Sequence, residues 1–211
     1  MNPLSSKNDN PNERNTDNRD NCTKKLNSHY NNERINHINY VDELQKDGAL
    51  KIKIYAMIEN DPSSLEHFLE LGPYKTDRLN VRSVKVYVDG ALGSRGALLI
   101  DDYSDRRGFK GIIRTPIDSV NNLAFRLAGT KFQMNTHAIG DKANRIVLNA
   151  YRDALFDFRD PRWRIEHAQV IAKEDFDLFN SKIIPSVQPT HATSDMYWLN
   201  ERIGNERAKY A

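Results

Sequence analysis

The chain has 211 residues, 38% hydrophobic and 28% charged, with 31 Lys+Arg against 29 Asp+Glu for a formal net charge of +2. That length suits one sizeable domain and falls short of the roughly 250 residues of a complete large α/β barrel. Charges of both signs are interspersed, which leaves no electrostatic footprint for nucleic acid, and no apolar run reaches the roughly 18 residues of a membrane span. The N-terminus lacks the apolar stretch of a signal peptide. Cys22 is the only cysteine, so neither an internal disulfide nor a multi-thiolate metal site can form. The expectation is a cytoplasmic protein with no nucleic-acid and no membrane partner.

Residues 1–38 are dominated by Asn, Asp, Ser, Lys and Arg, and their few apolar residues follow no period. Such a segment buries too little surface to offset its ordering entropy and reads as a disordered tail. His29 and His37 lie in it with no scaffold to bring them together. From Tyr40 the pattern changes. "YVDELQKDGAL" puts Tyr40, Val41 and Leu44 on one helical face and ends at Gly48, a C-cap residue. "KIKIYAMI" (51–58) reads as a strand, and "DPSSLEHFLELG" as a helix with Leu65, Phe68 and Leu69 inward and His67 on the surface.

Four more strands follow, over 83–90, 132–138, 162–168 and 183–191. Helical segments separate them. "TPIDSVNNLAFRLAG" has Thr115 as N-cap and Pro116 at the first helical position; "DKANRIVLNAYRDALFDF" and "KEDFDLFN" come after. Strand and helix alternate, the pattern of an α/β fold with parallel strands. Each strand is apolar at its start and polar at its end, and in parallel α/β folds sites form at the C-terminal strand ends.

Two of those ends carry a histidine: His137 in "FQMNTHAIGD" and His167 in "RWRIEHAQV", about 30 residues apart, roughly one strand–helix–strand unit. Neighbouring strands lie about 4.8 Å apart, so the two imidazoles can converge on one ion. Lys85 sits within the otherwise apolar "VKVYVDG", where a buried ammonium is costly unless it is paired or chemically modified. Asp89 either orients neighbouring groups or caps the turn that follows. That turn, "DGALGSRGA", is a flexible Gly-rich stretch matching no P-loop or dinucleotide fingerprint, and a phosphate-binding barrel is the reading it leaves open. Arg164 and Glu166 flank a ligand-bearing position and, by alternation, face away from it in packing or supporting roles.

Together "VKVYVDGALGSRGA", "NTHAIGDKAN", "RWRIEHAQV" and "PSVQPTHATSDMYW" resemble the amidohydrolase superfamily, in particular amidohydrolase family 3 and its N-substituted formamide deformylase-like branch, over roughly residues 45–211. The resemblance implies a metal-dependent hydrolase on a TIM-type (β/α)8 barrel. Here that barrel would be partial, occupying 39–211 and lacking its first and last strands. It implies Lys85, carboxylated in many members, with His137 and His167 as metal ligands. Gln188 and His191 of "QPTHATSD" would contact substrate. A divalent metal, zinc, would activate water against a C–N bond of a small amide-like molecule.

The family's His-X-His pair is absent from the chain, and so is the aspartate that follows its last strand. Asp195 belongs to the preceding loop. The expectation is therefore an incomplete ligand set in a truncated chain, either a fragment of an active hydrolase or a non-catalytic remnant. Its open barrel edges would offer a surface for self-association.

Overall fold

In the computed structural model, which describes residues 33–211, five parallel strands line up in the order in which the chain makes them. Helix α1 (Glu33–Lys46) precedes β1 (Ile54–Glu59), and α2 (Pro62–Leu71) leads through the two-residue β2 (Tyr74–Lys75) into β3 (Leu79–Tyr87). Then come α3 (Ile117–Ala128), β4 (Gln133–Ala138), α4 (Asp141–Ala154), β5 (Trp163–His167), a 3-10 turn (Lys173–Leu178) and β6 (Ile183–Ser186). Helices α5 (His191–Ser194) and α6 (Leu199–Ala208) close the chain. β2 pairs antiparallel with β3; every other pairing is parallel, in the order β1-β3-β4-β5-β6. A sheet wound without reversal is the arc of a barrel, whereas a doubly wound sheet reverses. Right-handed crossovers then place the connecting helices on one face and leave the other free of them. The α/β, partial-barrel class expected from the sequence is the class observed.

Local signals explain most boundaries. Asp61 Oδ1 accepts the Ser64 N–H at 3.0 Å, Pro62 takes the first helical position, and Gly72 at φ 80° ends α2. His67 is exposed, as predicted. Several boundaries differ: β3 runs over Leu79–Tyr87 and not 83–90, and β6 ends at Ser186, so that Gln188 and His191 lie beyond the strand. Helix α1 begins at Glu33, inside the stretch read as tail, because Ile35, Ile38 and Val41 form a narrow stripe that leans on the core. Residues 1–32, with Cys22, His29 and the remainder of the expected tail, lie outside the described residues. Helix α3 starts one residue late. Thr115 does not cap it; its hydroxyl donates to the Tyr87 carbonyl at 2.7 Å instead and pins the loop to the end of β3.

The main core lies between the helices and the sheet. Val84 and Val86 of β3, Met134 and Ala138 of β4, and Ile165 of β5 meet Leu127 of α3 and Val147 and Tyr151 of α4, all fully buried or nearly so. Each such aliphatic side chain contributes about 1.5–3 kcal/mol. The buried Tyr151 hydroxyl is satisfied by Thr136 Oγ1 at 2.7 Å and by the Met134 carbonyl at 2.9 Å.

A second cluster joins the loop of residues 88–116 to the chain's last helix, through Leu92, Leu99, Tyr103, Ile139, Val170 and Ile203. Asp105 holds Arg95 at 2.8 Å and also pairs with Arg202 of α6. This loop is a folded cap, where the sequence suggested a flexible turn. The N–H groups of Gly90, Arg95, Gly96 and Ala97 bond to carbonyls within it, and that of Leu98 bonds to Asp89. Those donors are consumed, which removes the basis of the phosphate-binding reading.

Candidate functional site

Alternation sorts the strand residues into two sets, and the set facing away from the helices is polar. Cα register pairs Lys85 with Asn135 and Tyr87 with His137, then Asn135 with Arg164 and His137 with Glu166. Three strands thus deliver Lys85, Tyr87, Asn135, His137, Arg164 and Glu166 to one surface. At its upper edge the Tyr87 and His137 rings lie 5.5 Å apart.

His167 would point the other way if β5 simply continued, because Glu166 is the residue beside His137. The backbone prevents this. His167 has φ 76° and Ala168 φ 43°, a left-handed conformation that costs a non-glycine residue free energy. That turn brings the His167 ring edge-on to His137, with centroids 4.5 Å apart. His191, at the start of α5, stacks on the far side of His167 at 6.4 Å, and Gln188 Oε1 accepts from His167 Nδ1 at 2.9 Å. Lys85 lies one pleat deeper, its ammonium 4.8 Å from the Tyr87 ring centre.

The turn after His137 is held by Asp89, which is fully buried. Its carboxylate accepts the N–H groups of Leu98 (2.9 Å), Ile139 (3.0 Å) and Gly140 (2.8 Å). Of the two readings of Asp89, orientation of its neighbours is the one the bonds bear out. Gly140 is required by proximity and not by its backbone angle: an added Cβ would lie 2.0 Å from the Leu98 carbonyl oxygen. Asn144 completes the tie, its amide nitrogen facing the carbonyls of Ala138, Ile139, Gly140 and Val170 at 3.0–3.2 Å.

Electrostatics keep both histidines neutral. Burial, then the neighbouring His167 and Lys85, pulls the His137 pKa down to about 4; burial also lowers that of His167. His137 Nε2 is buried without a hydrogen bond, 3.4 Å from Asp89 Oδ1. In His167 the bond to Gln188 puts the proton on Nδ1 and leaves the lone pair on Nε2. Burial lowers the Lys85 pKa as well, with Glu166 opposing and Arg164 reinforcing the shift.

Arg164 and Glu166 therefore do not face away, as alternation counted from His167 suggested. They share the helix-free face with Lys85, and Arg164 Nε donates to Glu166 Oε1 at 2.7 Å. The Arg164 guanidinium stacks 5.0 Å over the Tyr55 ring, and Asn135 bridges Arg164 and Ser83 in the amide orientation that suits both. The count began from the wrong residue, because the left-handed turn at His167 is invisible in composition. Tyr87, which shares this face, was not singled out. Tyr87 was legible as the residue two beyond Lys85.

Beside His167 opens a cavity of about 350 Å³, walled by Ile171, Phe176, Val187 and Tyr210 and lined also by Gln188 and His191. A larger cleft of about 450 Å³ lies at the opposite strand ends, against Arg82, Phe132 and Trp163. None of the candidate residues lines it, so the chemistry selects the smaller one. Among the described residues, no three His, Cys, Asp or Glu side chains gather as an ion site. No helix there is long and apolar enough to cross a membrane.

Comparison with known proteins places these features. A family model described as the amidohydrolase family matches residues 29–211. The chain is 35% identical over 143 residues to Protein LONG AFTER FAR-RED 3 of Arabidopsis thaliana. It is 31% identical over 146 residues to the putative amidohydrolase YtcJ of Bacillus subtilis. Those alignments cover 66% of this chain but 24% and 26% of the relatives, so the chain spans about a quarter of their length. The crystal structure of an uncharacterized metal-dependent hydrolase from Pyrococcus furiosus superposes with a TM-score of 0.72 at 34% identity, over 81% of this chain and 36% of that one. A second such hydrolase, from Pyrococcus horikoshii, gives 0.72 at 30% identity, over 81% and 34%.

Proposed function

The chain belongs to the amidohydrolase family, and from that premise we propose that it serves zinc-dependent hydrolysis of a C–N bond in a small amide-like substrate, in the manner of the N-substituted formamide deformylase-like branch. The observation that carries this reading is the His137–His167 pair, 4.5 Å apart at adjoining strand ends and held neutral by burial. A divalent cation fits such a donor set, because neutral imidazoles keep a lone pair and the His137 Nε2 atom has no protein partner to satisfy it. A metal there supplies Lewis acidity, lowering the pKa of water and polarising a carbonyl.

The chain's own groups do the rest. His137 and His167 would be the imidazole ligands, and Gln188 fixes the His167 tautomer through the bond to Nδ1. Lys85 would be the third ligand, as the amine that burial favours or as its carbamate. Gln188 and His191 flank the substrate, whose apolar part takes the cavity beside Phe176 and Tyr210 and excludes water there.

A second reading, binding without turnover, draws on the sparse ion site among the described residues. Metal content of the purified chain by plasma mass spectrometry tests the first. The expected result is near-stoichiometric zinc that disappears in a His137→Ala, His167→Ala double variant. Folded, metal-free protein would overturn it, and zinc binding without hydrolysis of N-substituted formamides would favour the second.

A further inference from the structure

Around the histidine pair the charges are unbalanced. Arg164 is neutralised by Glu166 at 2.7 Å, whereas Arg114 is exposed and forms no ion pair with any described residue. Its guanidinium carbon lies 5.0 Å from the centre of the Tyr87 ring, which also neighbours the His137 ring at 5.5 Å.

Its backbone is held in place. Arg114 N–H donates to the Val88 carbonyl at 2.8 Å, and the neighbouring Thr115 hydroxyl to that of Tyr87 at 2.7 Å. The loop returns through Gly111 at φ 96°, where an added Cβ would lie 1.9 Å from the Ala97 carbonyl oxygen. An unpaired guanidinium on a fixed backbone, over an aromatic ring that is 38% exposed, is pre-organised to accept an anion. The exposed Tyr87 carries a hydroxyl that can serve as a second donor.

We propose that Arg114 and Tyr87 form a carboxylate-binding subsite, and that the amides this site takes carry a carboxylate about one aromatic ring away from the histidine pair. The planar fork of arginine matches a carboxylate with two parallel N–H···O bonds, a geometry a neutral substrate cannot use. The subsite stands on the geometry alone; its assignment to a substrate rests on the hydrolase reading.

Isothermal titration calorimetry of the full chain with N-formylglycine and with its neutral carboxamide tests it. The acid is expected to bind about tenfold more tightly, as a charge-assisted bond does. That preference is expected to weaken in high salt, to vanish in Arg114→Ala and to survive in part in Arg114→Lys, with thermal unfolding unchanged. Equal affinity for the two probes, a preference that persists in Arg114→Ala, or no binding of either overturns the proposal. The metal measurement is independent. An acid preference in a chain that takes no zinc defeats the hydrolase reading alone, and zinc binding without the preference defeats the subsite alone.

Discussion

The two faces of the sheet are written in alternate residues of the same strands, yet they differ in almost every physical respect. On the helix-covered face Val84, Val86, Met134 and Ile165 are at most 1% exposed and bury aliphatic carbon. On the helix-free face Lys85, His137, Arg164 and Glu166 hold titratable groups whose burial shifts their protonation or forces them to pair. Stability resides on the first face and chemistry on the second, and only the strand ends, where Asp89 sits, serve both.

The largest effect is expected where the faces meet. Asp89→Ala strands three buried N–H groups, and a loss on the order of 4 kcal/mol in urea unfolding is expected, together with loss of zinc. Asp89→Asn, which keeps one acceptor oxygen, should recover part of both. On the helix-covered face, Ile165→Ala should cost about 3 kcal/mol while zinc affinity per folded molecule stays the same. Loss of zinc in that variant would break the division between the faces.

The helix-free face is expected to show itself through pH. The folded-state pKa of His137, about 4, lies below its ordinary 6.5, so the unfolded chain binds the proton more readily between those values. The His137 contribution to the stability of the metal-stripped chain should therefore be full above pH 6.5 and fall as pH drops towards 4, by up to about 3 kcal/mol, while Asp89, whose pKa burial raises to about 6, contributes in the opposite sense below that pH. A His137→Gln variant should remove that contribution and leave the opposing one of Asp89. The smallest change in stability belongs to Lys85→Met, within about 1 kcal/mol because the amine's own desolvation cost disappears with it. Zinc binding should nonetheless fail in that variant, and zinc retained would remove Lys85 from the ligand set.

Much of this was legible in the chain. The alternation of strand and helix, the apolar stretches, and a histidine at the end of each of two successive strands are local patterns, and backbone geometry turns them into a parallel sheet with those residues at one end. Helix α1 escaped notice over 33–38 because its stripe of Ile35, Ile38 and Val41 is thin and set among asparagines. The roles of Arg164 and Glu166 were misplaced by one residue's worth of alternation.

By itself the sequence determined the fold class, the family likeness and the candidates Lys85, His137 and His167, since each depends on residues close together in the chain. Tertiary structure alone decided that His167 faces His137, through a left-handed backbone at φ 76° that no side chain announces. It also decided that the Gly-rich turn closes on itself and that Asp89 clasps the turn after His137. Only the path of the 88–116 loop set Arg114 over Tyr87. Contacts between residues far apart in the chain arise from how the loop returns, and that return is fixed by backbone bonds and close approaches formed only when the whole domain has folded.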